Sequence, residues 1–121
     1  MDTPLKRIAI LITGPSFNIN VTQCTKLQSL WIQSAGYNVD FKSFYNLPPT
    51  MTSLRLINVF ASTANKTLPL YKELSGWNNL ATLELQGLGL VGPLDEQYFK
   101  IPYLSILNLN YNSLISLTLP I

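Results

Sequence analysis

The sequence has no histidine and a single cysteine, Cys24. Histidine is the side chain that most often acts as a general base near neutral pH, and it is the commonest metal ligand. Its absence weakens most hydrolytic and metal-centred readings. One cysteine cannot form an intrachain disulfide, and without a histidine partner it makes a poor nucleophile. Cys24 therefore reads as a small apolar residue of the interior. Charge is also scarce, at 12% of residues, against about 25% in an ordinary globular chain. The net charge is +2 and the longest basic run is Lys6-Arg7. That argues against nucleic acid, whose phosphates require clustered cations. No apolar run approaches the ~18 residues that a membrane-spanning helix needs. Ile8 to Ile12 follows two basic residues, but it is short for a secretory leader and no clear cleavage site follows, so it reads as a buried strand. No G-x-x-x-x-G-K phosphate cradle occurs. Asp95-Glu96 could hold a cation weakly, but calcium needs six or more oxygens, and a solvated turn is the simpler reading. The expectation is a protein that is not an enzyme, with no cofactor and no metal.

Apolar residues make up 47% of the 121 positions, enough to bury the core of one modest domain. With so few charges, the polar surface must come from Asn, Ser, Thr and Gln. A disordered segment would show the reverse balance.

The apolar residues fall in a repeat. Leu104-Ser105-Ile106-Leu107-Asn108-Leu109-Asn110-Tyr111-Asn112-Ser113-Leu114 fits L-x-x-L-x-L-x-x-N-x-L at every fixed position. Leu80, Leu83, Leu85, Leu88 and Leu90 make a copy 24 residues earlier, with Leu88 in the Asn slot. Met51, Leu54 and Leu56, then Leu27, Leu30 and Ile32, then Leu5, Ile8 and Ile10 continue the series. The starts at 5, 27, 51, 80 and 104 are spaced by 22, 24, 29 and 24 residues. All fifteen slots hold Leu, Ile or Met, types that make up only 34 of the 121 residues. Positions that did not define the register agree with it. Six residues before each later start stand Val21, Tyr45, Leu74 and Tyr98; three before stand Cys24, Pro48, Trp77 and Ile101.

The last two fixed residues of L-x-x-L-x-L are two apart, so they share one side of a strand. A strand this short is stable only when stacked copies pool their leucines into one core. The spacing predicts parallel strands near residues 7–11, 29–33, 53–57, 82–86 and 106–110. Gly14-Pro15, Pro48-Pro49 and Gly92-Pro93 punctuate the return segments. These segments show no long helical period and are expected to be irregular or 3-10. The expected fold is thus an α/β-class right-handed solenoid over residues 1–121, with strands on the concave face.

At these residues the chain resembles the leucine-rich-repeat superfamily, and its 24-residue copies look most like the plant-type class of receptor ectodomains and secreted proteins. Leu90-Val91-Gly92-Pro93-Leu94 is similar to that class's L-x-G-x-I-P segment, with the Pro and aliphatic residue exchanged. Cys24-Thr25-Lys26-Leu27-Gln28-Ser29-Leu30 resembles its C-x-x-L-x-x-L approach to a strand, and Phe99 to Leu104 its aromatic-plus-Leu-Pro approach. Family members use the Asn slot to hydrogen-bond backbone across turns. Here the slot holds Thr13, Ala35, Val59, Leu88 and Asn112, so only one copy can do so. The copy from Met51 to Asn79 is about five residues longer than its neighbours, which should bulge on the return side.

The outward strand positions supply the candidate binding surface. Ala9, Trp31, Arg55, Glu84 and Asn108 stand between the second and third fixed residues, with Leu11, Gln33, Ile57, Gln86 and Asn110 two residues on. Parallel strands lie about 4.8 Å apart, so Trp31, Arg55 and Glu84 should form one row. Trp and Arg are frequent interface anchors. Equally, Arg55 could stack on Trp31 and pair with Glu84, leaving the trio satisfied by itself. The candidate ligand-binding set is Trp31, Gln33, Arg55, Ile57, Glu84, Gln86, Asn108 and Asn110. It suits a protein, peptide or glycan ligand.

Two sequons, at Asn20 and Asn65, fall 15 and 14 residues after their repeat starts. Both should face solvent on the convex side, where N-glycans would leave the strand face free. The resemblance implies an extracellular or cell-surface location. The expectation for the ends is an uncapped apolar cross-section that meets more of a longer chain or another copy. Such contact between copies could propagate as a filament. A structural unit stacking end to end is therefore the alternative to a recognition module.

Overall fold

The computed structural model describes residues 3–14, 19–35, 37–39, 41–58, 60–61 and 67–114. In chain order the elements are β1 (Arg7–Ile12), β2 (Ser29–Ser34), β3 (Asn38–Val39), η1 (Phe41–Phe44), β4 (Ser53–Ile57), β5 (Phe60–Ala61), η2 (Tyr71–Glu73), β6 (Thr82–Gln86), β7 (Val91–Gly92), η3 (Glu96–Lys100), β8 (Ile106–Asn108) and β9 (Ser113–Leu114). The three η elements are 3-10 turns, and no α-helix occurs among the described residues.

Five strands form one sheet in the order β1-β2-β4-β6-β8, and every pair is parallel. The register keeps the repeat slots aligned: Ile8, Leu30, Leu54, Leu83 and Leu107 are successive partners. This is a leucine-rich-repeat solenoid. Leu27, Leu30, Ile32, Met51, Leu54, Leu56, Leu80, Leu83 and Leu85 are all completely buried. Burying each such side chain contributes roughly 1.5–3 kcal/mol. The slots of the first and last copies are less covered. Ile8, Ile10, Leu104, Leu107 and Leu109 are half-buried, and Leu5 is exposed. Within the described sheet, β1 and β8 each have a strand on one side only.

The approach to β2, β4, β6 and β8 repeats bond for bond. The N–H of the first slot donates to the carbonyl three residues back, from Leu27 to Cys24, Met51 to Pro48, Leu80 to Trp77 and Leu104 to Ile101, at 2.9–3.2 Å. These are i to i+3 turn bonds. The next N–H reaches across to the preceding copy: Gln28 to Lys6, Thr52 to Gln28, Ala81 to Thr52 and Ser105 to Ala81. Hydroxyls add to this ladder, with Thr50 donating to Leu27 O at 2.6 Å and Ser105 to Ala81 O at 3.0 Å.

Behind the leucines, aromatic residues knit the return segments together. Phe44, Trp77 and Tyr98 are buried, and the Trp77 and Tyr98 rings meet edge to face at 6.3 Å between centroids. Tyr98 donates its hydroxyl to Pro69 O at 2.8 Å. Gly76 is needed where two return segments touch. Its φ is +80°, and a Cβ there would stand 1.8 Å from the carbonyl oxygen of Leu47.

Three details differ from the sequence reading or extend it. The return segments are not only irregular and 3-10, because β3 pairs with β5 and β7 with β9 as short parallel ladders. Leu90-Val91-Gly92-Pro93-Leu94 supplies β7, with Gly92 at φ +83°. The fifth strand ends at Asn108 rather than at 110. There the Asn108 side chain accepts the Asn110 N–H at 3.0 Å, a local turn bond that competes with the strand ladder, and Tyr111 takes φ +62°. Much of the bulge expected in the long copy, and the sequon at Asn65, lie outside the described residues.

Candidate functional site

The outward row is continuous. Ala9 partners Trp31, Trp31 partners Arg55, Arg55 partners Glu84 and Glu84 partners Asn108. A parallel ladder in strict register produces this, because a slip of one residue would turn every outward side chain into the core. Beside it run Leu11, Gln33, Ile57 and Gln86, also in register. Asn110 is outside the strand that would extend that line. It lies two residues past the end of β8, yet its carbonyl oxygen accepts the Gly87 N–H at 3.0 Å, as the Gln86 carbonyl accepts the Asn58 N–H at 2.8 Å, so its backbone still runs beside β6. Asn108 sits in the row, but its Oδ1 is engaged by the Asn110 N–H.

The middle of the row is a linked trio. The Arg55 Nε donates to Glu84 Oε2 in an ion pair. The Arg55 Cζ lies 4.6 Å from the centroid of the Trp31 ring. A solvent-facing ion pair is worth about 0–1 kcal/mol, and an exposed cation–π contact about 0.5–1 kcal/mol. Together these fix the side chains rather than the fold. Glu84 is well shielded, with 13% of its side chain exposed, while Arg55 retains 37% and Trp31 stands 39% exposed. The centre of the face therefore presents an ordered aromatic edge and guanidinium with charges balanced.

A hollow of about 330 Å³ opens beside Trp31, lined by Ala9, Ile10, Leu11, Trp31 and Gln33. Of these, Leu11 is 64% exposed. Sequence reasoning placed Ala9 and Leu11 on the outward face but not in the candidate set. The signal that could have raised them is a Leu at an outward position directly opposite Gln33, one step from Trp31.

Asn112 behaves as the repeat's Asn slot requires. Its Oδ1 accepts the N–H groups of Leu88 and Leu90 at 3.0 and 3.1 Å, and its Nδ2 donates to Leu85 O at 2.6 Å and Leu109 O at 3.0 Å. One side chain thus satisfies backbone of two copies. In the preceding copy the same slot holds Leu88, which is fully buried.

Asp95 is occupied by structure. Oδ1 accepts Gln97 N–H at 3.1 Å, starting η3, and Oδ2 accepts Tyr71 N–H at 2.9 Å. Among the described residues, no group of three or more His, Cys, Asp or Glu side chains could hold a metal. No helix there is long and apolar enough to cross a membrane. Asn20 is exposed, and its Oδ1 accepts from the Thr22 N–H at 3.0 Å and the Thr22 hydroxyl at 2.7 Å.

Parallel strands at repeat spacing, a pooled leucine core and an ordered outward face define the class: a leucine-rich-repeat solenoid. Within that class the chain is similar to receptor-like proteins 9DC1, 9DC2 and 9DC3 of Solanum pimpinellifolium, at 32% identity over 102 residues. The similarity covers 83% of this chain and 11% of each relative. The chain thus matches about a tenth of the length of these proteins. No protein-family model matches it, and no solved structure does.

Proposed function

We propose that this chain is a non-catalytic recognition module, five repeat copies acting as one array. It binds a protein, peptide or glycan through the strand face. The contact set is Trp31, Gln33, Arg55, Ile57, Glu84, Gln86, Asn108 and Asn110. The observation that carries this reading is the in-register row Trp31–Arg55–Glu84, linked by a cation–π contact and an ion pair. An interface residue that is already ordered loses less conformational entropy when a ligand arrives. The trio's mutual satisfaction and its use in recognition are then compatible, since the same contacts that hold it also present it. Similarity to proteins named receptor-like supports the same role, and an extracellular or cell-surface location goes with it. The exposed sequon at Asn20 fits that location.

The test is a selection of displayed random peptides, together with a glycan array, against the immobilised chain. Ligands recovered on the wild type are re-measured on Trp31→Ala, Arg55→Ala and Gln86→Ala. Truncating an anchor costs on the order of 2 kcal/mol or more, so affinity should fall at least about tenfold on one of the first two variants. Ligands that bind all three variants as tightly as the wild type would remove the strand face as the binding surface.

A further inference from the structure

We draw no further inference here: the strongest candidate, the apolar patch at the β8 edge of the described sheet, where Ile106 is exposed beside half-buried Leu104, Leu107 and Leu109, carries nothing because nothing in the structure shows what covers it.

Discussion

The indole Nε1 of Trp77 donates to the carbonyl oxygen of Phe44 at 3.1 Å, joining residues 33 positions apart in sequence. Both side chains are essentially fully buried. The bond ties the third return segment to the second. Trp77→Phe keeps most of the apolar volume but leaves the Phe44 carbonyl without this donor, at a cost of roughly 1–3 kcal/mol. Trp77→Ala adds a cavity and should cost about 3–5 kcal/mol. Urea unfolding of the two variants checks the order, with Trp77→Ala the less stable.

Tyr98 makes the fold sensitive to alkali. Burial, and then the nearby Asp95 carboxylate, push its hydroxyl well above the ordinary value of 10.0. The unfolded chain therefore loses this proton at a lower pH than the folded chain does. Stability from Tyr98 is present in full below about pH 10 and declines as the pH rises from there towards the folded value. Thermal melts between pH 8 and 11 should show Tm falling above about pH 10. Tyr98→Phe should start lower at pH 8, because Pro69 O loses its donor, and fall less steeply.

Asn112 holds the turn after β8 and the turn after β6 through one carboxamide. Asn112→Ala strands the N–H groups of Leu88 and Leu90, and a buried donor left unpaired costs about 1–3 kcal/mol. Hydrogen exchange at those two amides should speed up more than at Leu30 or Leu54 in the same variant. Uniform acceleration across the sheet would show that Asn112 acts on global stability alone.

Asn20 stands exposed on the return side, with its carboxamide already bonded to Thr22. Expression through a secretory pathway should add a glycan there, seen as a mass loss on glycosidase treatment. Asn20→Gln should abolish that part of the loss, and peptide binding by the strand face should be the same with or without the glycan.

Most of the sheet was legible because its signal is redundant. Each copy repeats L-x-x-L-x-L, and one error of register would expose every leucine in that copy. Strand limits at Ser53–Ile57 and Thr82–Gln86 match the expectation, while β1 and β2 run one residue longer. The row Trp31–Arg55–Glu84 followed from the same register. The end of β8 did not follow. It depends on the Asn108 side chain choosing its own backbone over the ladder, a local competition that periodicity does not encode. The pairing of β7 with β9 was also missed, because two-residue strands carry no alternation to read. The hollow escaped because it is made by the absence of bulk at Ala9 between two larger neighbours, and a small residue at an outward position leaves no mark in a hydrophobic pattern.

If the strand face rather than the return side meets the partner, hydrogen–deuterium exchange of the chain with and without a selected peptide should show it. The expected result is protection concentrated in β2, β4 and β6, around Trp31, Arg55 and Glu84, with η2 and η3 on the return side unchanged. Protection confined to η2 and η3, with the three strands exchanging as in the free chain, would contradict it.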